Sequence, residues 1–297
     1  MAAVKENQRL KDKIVDILIY AFMVVIIFLT LYPFWYCFVG SFNEGLDYMK
    51  GGVYFLPRKF TIGNYMTVFA DNTILNSFKV TIARTVIGTI SHVLFCSVFA
   101  YAYSRKILKW KKFFMVTGLI PMYFGGGLIP TYILYRQLGL LNNFLVYIIP
   151  GLFSFYHVII MQAFFRGIPD SLAESAMMDG ASEYRIYWSI LLPLSTPVLA
   201  AIALFTGVGH WNSYFDSMVF TTSRSLQTVQ VYLMKIVRSQ QAAQNMVDAT
   251  QDEFERVITP ETVKLATMMT VTLPIIFIYP FLQRYFVKGM MIGSLKG

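Results

Sequence analysis

An all-α integral membrane protein whose chain crosses the bilayer six times is what this sequence predicts, and three observations carry the prediction. Hydrophobic residues fill 56% of the 297 positions and charged residues only 14%, with a mean hydropathy of +0.55, whereas soluble domains run near about 25% charged. The apolar residues gather into six runs, each close to the ~20 residues a helix needs to cross the hydrocarbon core. The basic residues concentrate in alternate connections, the pattern of loops held on the cytoplasmic side. No polar stretch is long enough for a soluble domain, so residues 1–297 read as a single transmembrane domain.

The N-terminal segment 1–13, MAAVKENQRLKDK, is basic and leads into the first span, Ile14–Val39. A signal peptide has a shorter apolar core and a small-residue cleavage site, so this run reads as a retained helix. A polar-aromatic connection, Gly40–Asn76, precedes the second span, Val86–Tyr103, whose start reaches back toward Ser77. The third span, Phe113–Tyr135, contains Gly125-Gly126-Gly127. That run fits either close helix packing or an unwound pore segment. Phe144–Phe165, Ile190–Trp211 and Leu265–Phe286 are the fourth, fifth and sixth spans, followed by a tail at 287–297. Pro121, Pro130, Pro150, Pro197 and Pro274 fall within spans, where neighbouring helices can satisfy the freed carbonyls of a kink. In the connection 212–264, Leu226, Val229, Leu233, Ile236 and Val237 recur at helical spacing. That amphipathic helix fits packing on the bundle or contact with a partner outside; Ser239–Glu255 beyond it is polar.

Orientation follows from the short loops. Lys5, Arg9, Lys11 and Lys13 precede the first span, Arg105, Lys106, Lys109, Lys111 and Lys112 join the second to the third, and Arg284, Lys288 and Lys296 mark the tail. The loop between the third and fourth spans has only Arg136. Both termini and the 105–112 loop are therefore expected in the cytoplasm, and the loop between the fourth and fifth spans falls on the same side. Trp35, Trp110, Trp188 and Trp211 lie at span ends, where indole rings favour the interface. The net charge of +9 is largely this cytoplasmic excess and calls for no nucleic-acid partner. Cys37 and Cys96 lie in apolar runs without metal or disulfide spacing and read as small buried hydrophobes.

That loop, PDSLAESAMMDGASEYRIYWSILLPLSTP at Pro169–Pro197, is a polar island with its own order. Ser171 and Glu174 form a capping-box pattern opening a short helix with Leu172, Ala173, Ala176 and Met177 on one face. Asp179-Gly180 stops it, Ser182 caps a second helix, and Pro193 interrupts that one. The segment resembles the EAA loop of permease subunits in binding-protein-dependent ABC importers. The matching residues are Glu174-Ser175-Ala176, Asp179-Gly180-Ala181 and Ile190-Leu191-Leu192-Pro193, with serine in place of the middle alanine. LPRKFTIGNY, the Gly125–Asn143 stretch and the ending YPFLQRYFVKGMMIGSLKG extend the likeness to sugar permeases similar to the smaller maltose permease subunit, in the branch for complex and acidic oligosaccharides.

The resemblance implies the type I ABC importer permease fold in a bacterial inner membrane, with 166–190 as a coupling loop docked on an ATPase. It implies a heterodimer with a second homologous permease, two ATP-binding subunits, an extracytoplasmic solute-binding protein and an oligosaccharide substrate, neutral or uronate-containing. ATP and magnesium belong to the partner subunits; no cofactor, metal or catalytic residue is expected in this chain.

The residues themselves agree with an external energy source. No carboxylate falls at a membrane midplane, where an ion-coupled transporter places one; Asp16 and Asp216 come nearest to a span. The phosphate-binding pattern G-x-x-x-x-G-K-[ST] and the enzyme patterns H-E-x-x-H and G-x-S-x-G are absent. The three histidines, His92, His157 and His210, sit on separate spans with no metal spacing. Tyr156, His157 and Gln162 on the fourth span, with Asn212 and Tyr214 beyond the fifth, are the candidates for a substrate path; interhelical hydrogen bonding is the plain alternative for the intramembrane three. Lys79 and Arg84 at the outer end of the second span fit either snorkelling to headgroups or attraction of an anionic solute.

Overall fold

The computed structural model describes the backbone of residues 2–244 and 259–294, and side chains of 13–238, 259–278 and Pro280. Most of the polar Ser239–Glu255 stretch and the end of the tail, with Lys296, therefore lie outside the described residues. The described chain is almost wholly helical, with one isolated bridge between Asn43 and Phe60. In chain order the α-helices are α1 (Ala2–Ser41), α2 (Gly45–Met49), α3 (Gly63–Ala70), α4 (Asn72–Ser104), α5 (Lys111–Tyr123), α6 (Leu128–Gln137), α7 (Phe155–Arg166), α8 (Asp170–Met178), α9 (Glu183–Ile186), α10 (Leu192–Leu194), α11 (Thr196–Asn212), α12 (Phe215–Phe220), α13 (Val229–Gln244) and α14 (Pro260–Ser294).

Among the described residues, Lys13–Ser41, Asn72–Ser104 and Pro260–Ile278 are each long and apolar enough to cross a membrane. Three bent pairs bring the number to six if each pair is one span. The α5–α6 pair turns by 113° at Phe124–Gly127, so the triple-glycine run is a true break. The fourth predicted span begins as 3-10 turns over Phe144–Gly151 and meets α7 at 49°. The fifth is bent by 78° between Leu194 and Thr196. Pro193 and Pro197 frame that bend, and Pro193 has no N–H for the Ser189 carbonyl. The backbone loosens there into a π-turn at Tyr187–Leu191. The second span, expected from Val86, is the 33-residue α4, about 50 Å long at the helical rise.

The chain falls into two compact units, one of residues 1–71 and 236–271 and one of 72–235 and 272–297. In the first, a polar knot holds the connection after α1. Asn43 Oδ1 accepts from the backbone N–H groups of Arg58 and Lys59 at 2.8 and 3.2 Å. Asp47 accepts from Asn43 and Arg58, and those contacts, Asn43 first, hold its carboxyl below the usual carboxylate value. Asn64 Nδ2 donates to the carbonyls of Ser41 and Asn43 at 2.9 Å, and Thr262 donates to Asn64 Oδ1 at 2.9 Å.

In the second unit α4 packs against α7 and α11 around Cys96, Ala100, Phe155, Val158, Met161 and Ile202, all buried. Lipid is as apolar as these side chains, so close approach and internal polar contacts must hold the helices together. Gly88 permits one such approach: a Cβ there would stand 2.5 Å from His210 Nε2. The Ser97 and Tyr187 hydroxyls meet at 2.6 Å, tying α4 to the π-turn. Trp35, Trp110 and Trp188 are exposed as expected of interfacial rings, whereas Trp211 is buried in the packing.

Candidate functional site

Two regions of the second unit carry polar groups that the packing does not require. The first is the loop between α7 and α11. Helix α8 starts at Asp170 after Pro169, with no side-chain cap. Ser171 therefore lies within the first turn, and the expected capping box with Glu174 is not formed. The helix end matches the sequence reading. Gly180 has φ +80°, its N–H bonds the Met177 carbonyl and the Ala181 N–H bonds the Ala176 carbonyl, both at 2.9 Å. This is a Schellman stop, which glycine enters without a Cβ clash. Ser182 then caps α9, accepting from the Arg185 N–H.

No residue of α8 is buried. Glu174 and Ser175 are exposed and Ala176 half-buried, and Asp179 and Gly180 follow exposed on the turn with Ala181 half-buried. Leu172, Met177, Met178 and Tyr184 are exposed apolar side chains beside them. Three polar contacts tie this loop to the end of α4. Lys106 Nζ meets Asp170 Oδ2 at 2.7 Å, Arg105 Nη2 meets Glu183 Oε1 at 3.0 Å, and the Tyr101 hydroxyl donates to Glu183. The Lys106 contact lowers the Asp170 carboxyl and raises the Lys106 ammonium from their ordinary values.

The second region is a cavity of about 380 Å³ whose lining includes Arg84, His92, Tyr147, His157, His210 and Asp216. Arg84 meets Asp216 through both terminal nitrogens, at 3.1 and 2.5 Å, and its guanidinium lies over the Tyr147 ring at 4.5 Å. Asp216 Oδ1 also accepts from the Ser213 hydroxyl and the Ser217 N–H. Neither sequence reading of Arg84 holds: the side chain is 2% exposed, because an ion pair in the bundle replaces the water or headgroup it would otherwise seek. Lys79 and Arg136 remain exposed.

His92 and His157, read as separate, share a hydrogen bond of 2.7 Å between Nε2 and Nδ1. Of the candidate path residues only His157 lines this cavity. Tyr156 points to the exterior at 56% exposure. Gln162 is buried and donates to the Tyr103 carbonyl at 2.8 Å. Asn212 and Tyr214 are exposed at the end of α11. The Arg84–Asp216 pair went unread in the sequence, although a lone arginine and a lone aspartate flanking apolar runs are a usable signal. Among the described residues no cluster of metal ligands occurs.

Three long helices and three bent pairs are apolar enough to cross a membrane, and an exposed helix–glycine–helix loop lies between two of them. Over 270 residues the chain is 36% identical to Protein LplC of Bacillus subtilis (strain 168), covering 91% of this chain and 90% of that one. It is 32% identical to the polygalacturonan/rhamnogalacturonan transport system permease protein YtcP of the same organism, over 97% of this chain and all 100% of the other. A chain of the solved bacterial ABC transporter involved in the import of the acidic polysaccharide alginate superimposes with a TM-score of 0.84 at 31% identity, covering 93% and 98% of the two chains. No family model matches the chain. The chain belongs to the permease proteins of ABC sugar transport systems, the family that its loop and its C-terminal ending resemble.

Proposed function

We propose that this chain is one of two homologous permease subunits that together form an oligosaccharide pathway across a bacterial cytoplasmic membrane. It crosses six times, with both termini and the 166–190 loop in the cytoplasm. ATP is bound with magnesium and hydrolysed on two partner subunits, and a solute-binding protein delivers the substrate from outside. The substrate is an acidic oligosaccharide of the pectin or alginate kind. The observation that carries this reading is full-length likeness to a polygalacturonan/rhamnogalacturonan permease, joined to the fold of an alginate importer.

In this reading α8 is the coupling helix. Its exposed Leu172, Met177 and Met178 give a partner an apolar surface to cover, and Glu174 offers an ion pair to a basic residue of the ATPase. The Schellman turn and the Ser182 cap join α8 to α9 without slack, and α9 runs on through the π-turn toward α11. Movement of α8 would thus be passed to a spanning segment. In this reading Asn212 and Tyr214 belong to the outer vestibule and His157 to the path, while Tyr156 on the exterior and Gln162, bonded to the Tyr103 carbonyl, take no part in it.

The test is ATP hydrolysis by the assembled complex with its binding protein, comparing galacturonate or alginate oligosaccharides with neutral chains of equal length. Stimulation by the uronate chains is expected. Stimulation by neutral chains alone would overturn the acidic assignment, and stimulation by neither would overturn the uptake reading.

A further inference from the structure

The cavity beside Arg84 has a volume within the range of sites that hold small organic ligands, and its walls carry unfinished hydrogen bonding. Arg84 is 1% exposed and directs its terminal nitrogens to Asp216 and Ser213, yet its Nε–H has no partner among the described residues. The Thr206 hydroxyl on the same lining is also buried and unpartnered. Buried groups of this kind are costly and each calls for a partner.

A histidine ring nitrogen stands on the same lining as these donors. The Gly151 carbonyl can only accept, so His92 Nδ1, 2.5 Å away, carries the proton. His92 Nε2 then shares the 2.7 Å bond with His157 Nδ1. His157 Nε2 is left to a ligand, as donor or acceptor according to the tautomer. Tyr135, Phe153 and Phe220 add aromatic surface to the same lining.

The charge balance selects among ligands. Asp216 already matches Arg84, and no unpaired lysine or arginine lines the cavity among the described residues. An entering carboxylate would face Asp216 and find its cation taken. A hydroxyl donates and accepts at one atom, and so answers the free donors and the histidine nitrogen in either tautomer. The apolar face of a sugar ring suits the aromatic walls.

We propose that this cavity is a saccharide subsite that binds a sugar ring through its hydroxyls and its apolar face, and does not read the carboxylate of an acidic chain. The proposal rests on the uptake reading above, and it leaves recognition of the charge to other parts of the transporter.

Gly209 offers a probe, because it borders the cavity and a Cβ there meets nothing within 4 Å. Gly209→Cys would be combined with Cys37→Ala and Cys96→Ala in the complex of both permeases with the ATPase subunits. Alkylation by a small maleimide is followed while a galacturonate oligosaccharide, or its methyl ester of equal length, is added directly. The binding protein is omitted so that its own selectivity does not enter. Both chains should slow labelling, with half-protection concentrations equal within about a factor of two, and Thr206→Val should raise both about five-fold.

Half-protection more than about tenfold weaker for the ester would mean that the carboxylate is read, and would overturn the proposal. So would absence of protection by chains that still stimulate ATP hydrolysis when the binding protein delivers them, an outcome that leaves the uptake reading intact. Absence of both protection and stimulation removes the uptake reading and the subsite with it. Where Gly209→Cys fails to assemble, Pro150→Cys, exposed on the same lining, carries the same measurement.

Discussion

The loop at Pro169–Pro197 and the cavity at Arg84 are both polar interruptions of an apolar bundle, and they are built in opposite ways. The loop's defining hydrogen bonds span three to five residues: Gly180 to Met177, Ala181 to Ala176, Arg185 to Ser182. The cavity's defining contacts join residues 65 and 132 positions apart, His92 to His157 and Arg84 to Asp216. A loop that satisfies its own backbone leaves its outer surface free for another subunit. A buried charge cannot wait for another subunit and must find its partner within the chain. The two regions should therefore fail differently: the cavity through stability, the loop through coupling.

The largest effect should come from the ion pair. Asp216→Leu strands Arg84, whose side chain is 2% exposed. Removing one partner of a buried pair typically costs about 3–5 kcal/mol. Arg84→Met combined with Asp216→Leu should recover much of that loss, because two apolar groups need no partners. Thermal unfolding of the detergent-purified complex checks this. A double variant no more stable than Asp216→Leu would show that the pair is not the source of the loss.

Gly180 separates stability from coupling. At φ +80° a β-branched side chain is strained by roughly 1–2 kcal/mol, so Gly180→Val should break the α8–α9 junction, while Gly180→Asn, which tolerates the left-handed region, should keep it. Uptake by membrane vesicles should be lost in the first and largely retained in the second, with both chains reaching the membrane. Glu174→Lys should also lose uptake, its fold unchanged. Equal uptake by Gly180→Val and Gly180→Asn would remove the turn from the coupling path.

The same contrast explains what could be read from the sequence. The Gly180 stop and the Ser182 cap need only near neighbours, so their residue types announce them. The capping box failed even there, because the helix starts two residues early, with Pro169 at the N-cap position, and draws Ser171 inside it. The break at Gly125–Gly127 was legible as composition, but its 113° turn was not. Arg84 read as a rim cation because nothing near it in sequence carries the opposite charge. Its partner lies beyond three further spans, where only packing brings it close. The histidines were judged by spacing along the chain, which says little about helices that pack side by side.

The smallest effect should come from the exposed pair that ties the loop to the end of α4. Lys106 and Asp170 meet at 2.7 Å, but their side chains are 90% and 55% exposed, and surface pairs of this kind contribute little. The direction of each shift sets the pH window. The Asp170 carboxyl is depressed, so its contribution is present above the unfolded value of about 3.9 and is lost as pH falls through the lower folded value. The Lys106 ammonium is raised, so its contribution is complete below about 10.4 and is lost only as pH climbs through the higher folded value. Between those limits the pair is insensitive to pH. Lys106→Gln should therefore change substrate-stimulated ATP hydrolysis by no more than about a factor of two, with a profile from about pH 5 to 9 parallel to that of the unaltered protein. A larger loss, or a slope that appears only in the variant, would mean that the loop depends on a charge which its own hydrogen bonds should make dispensable.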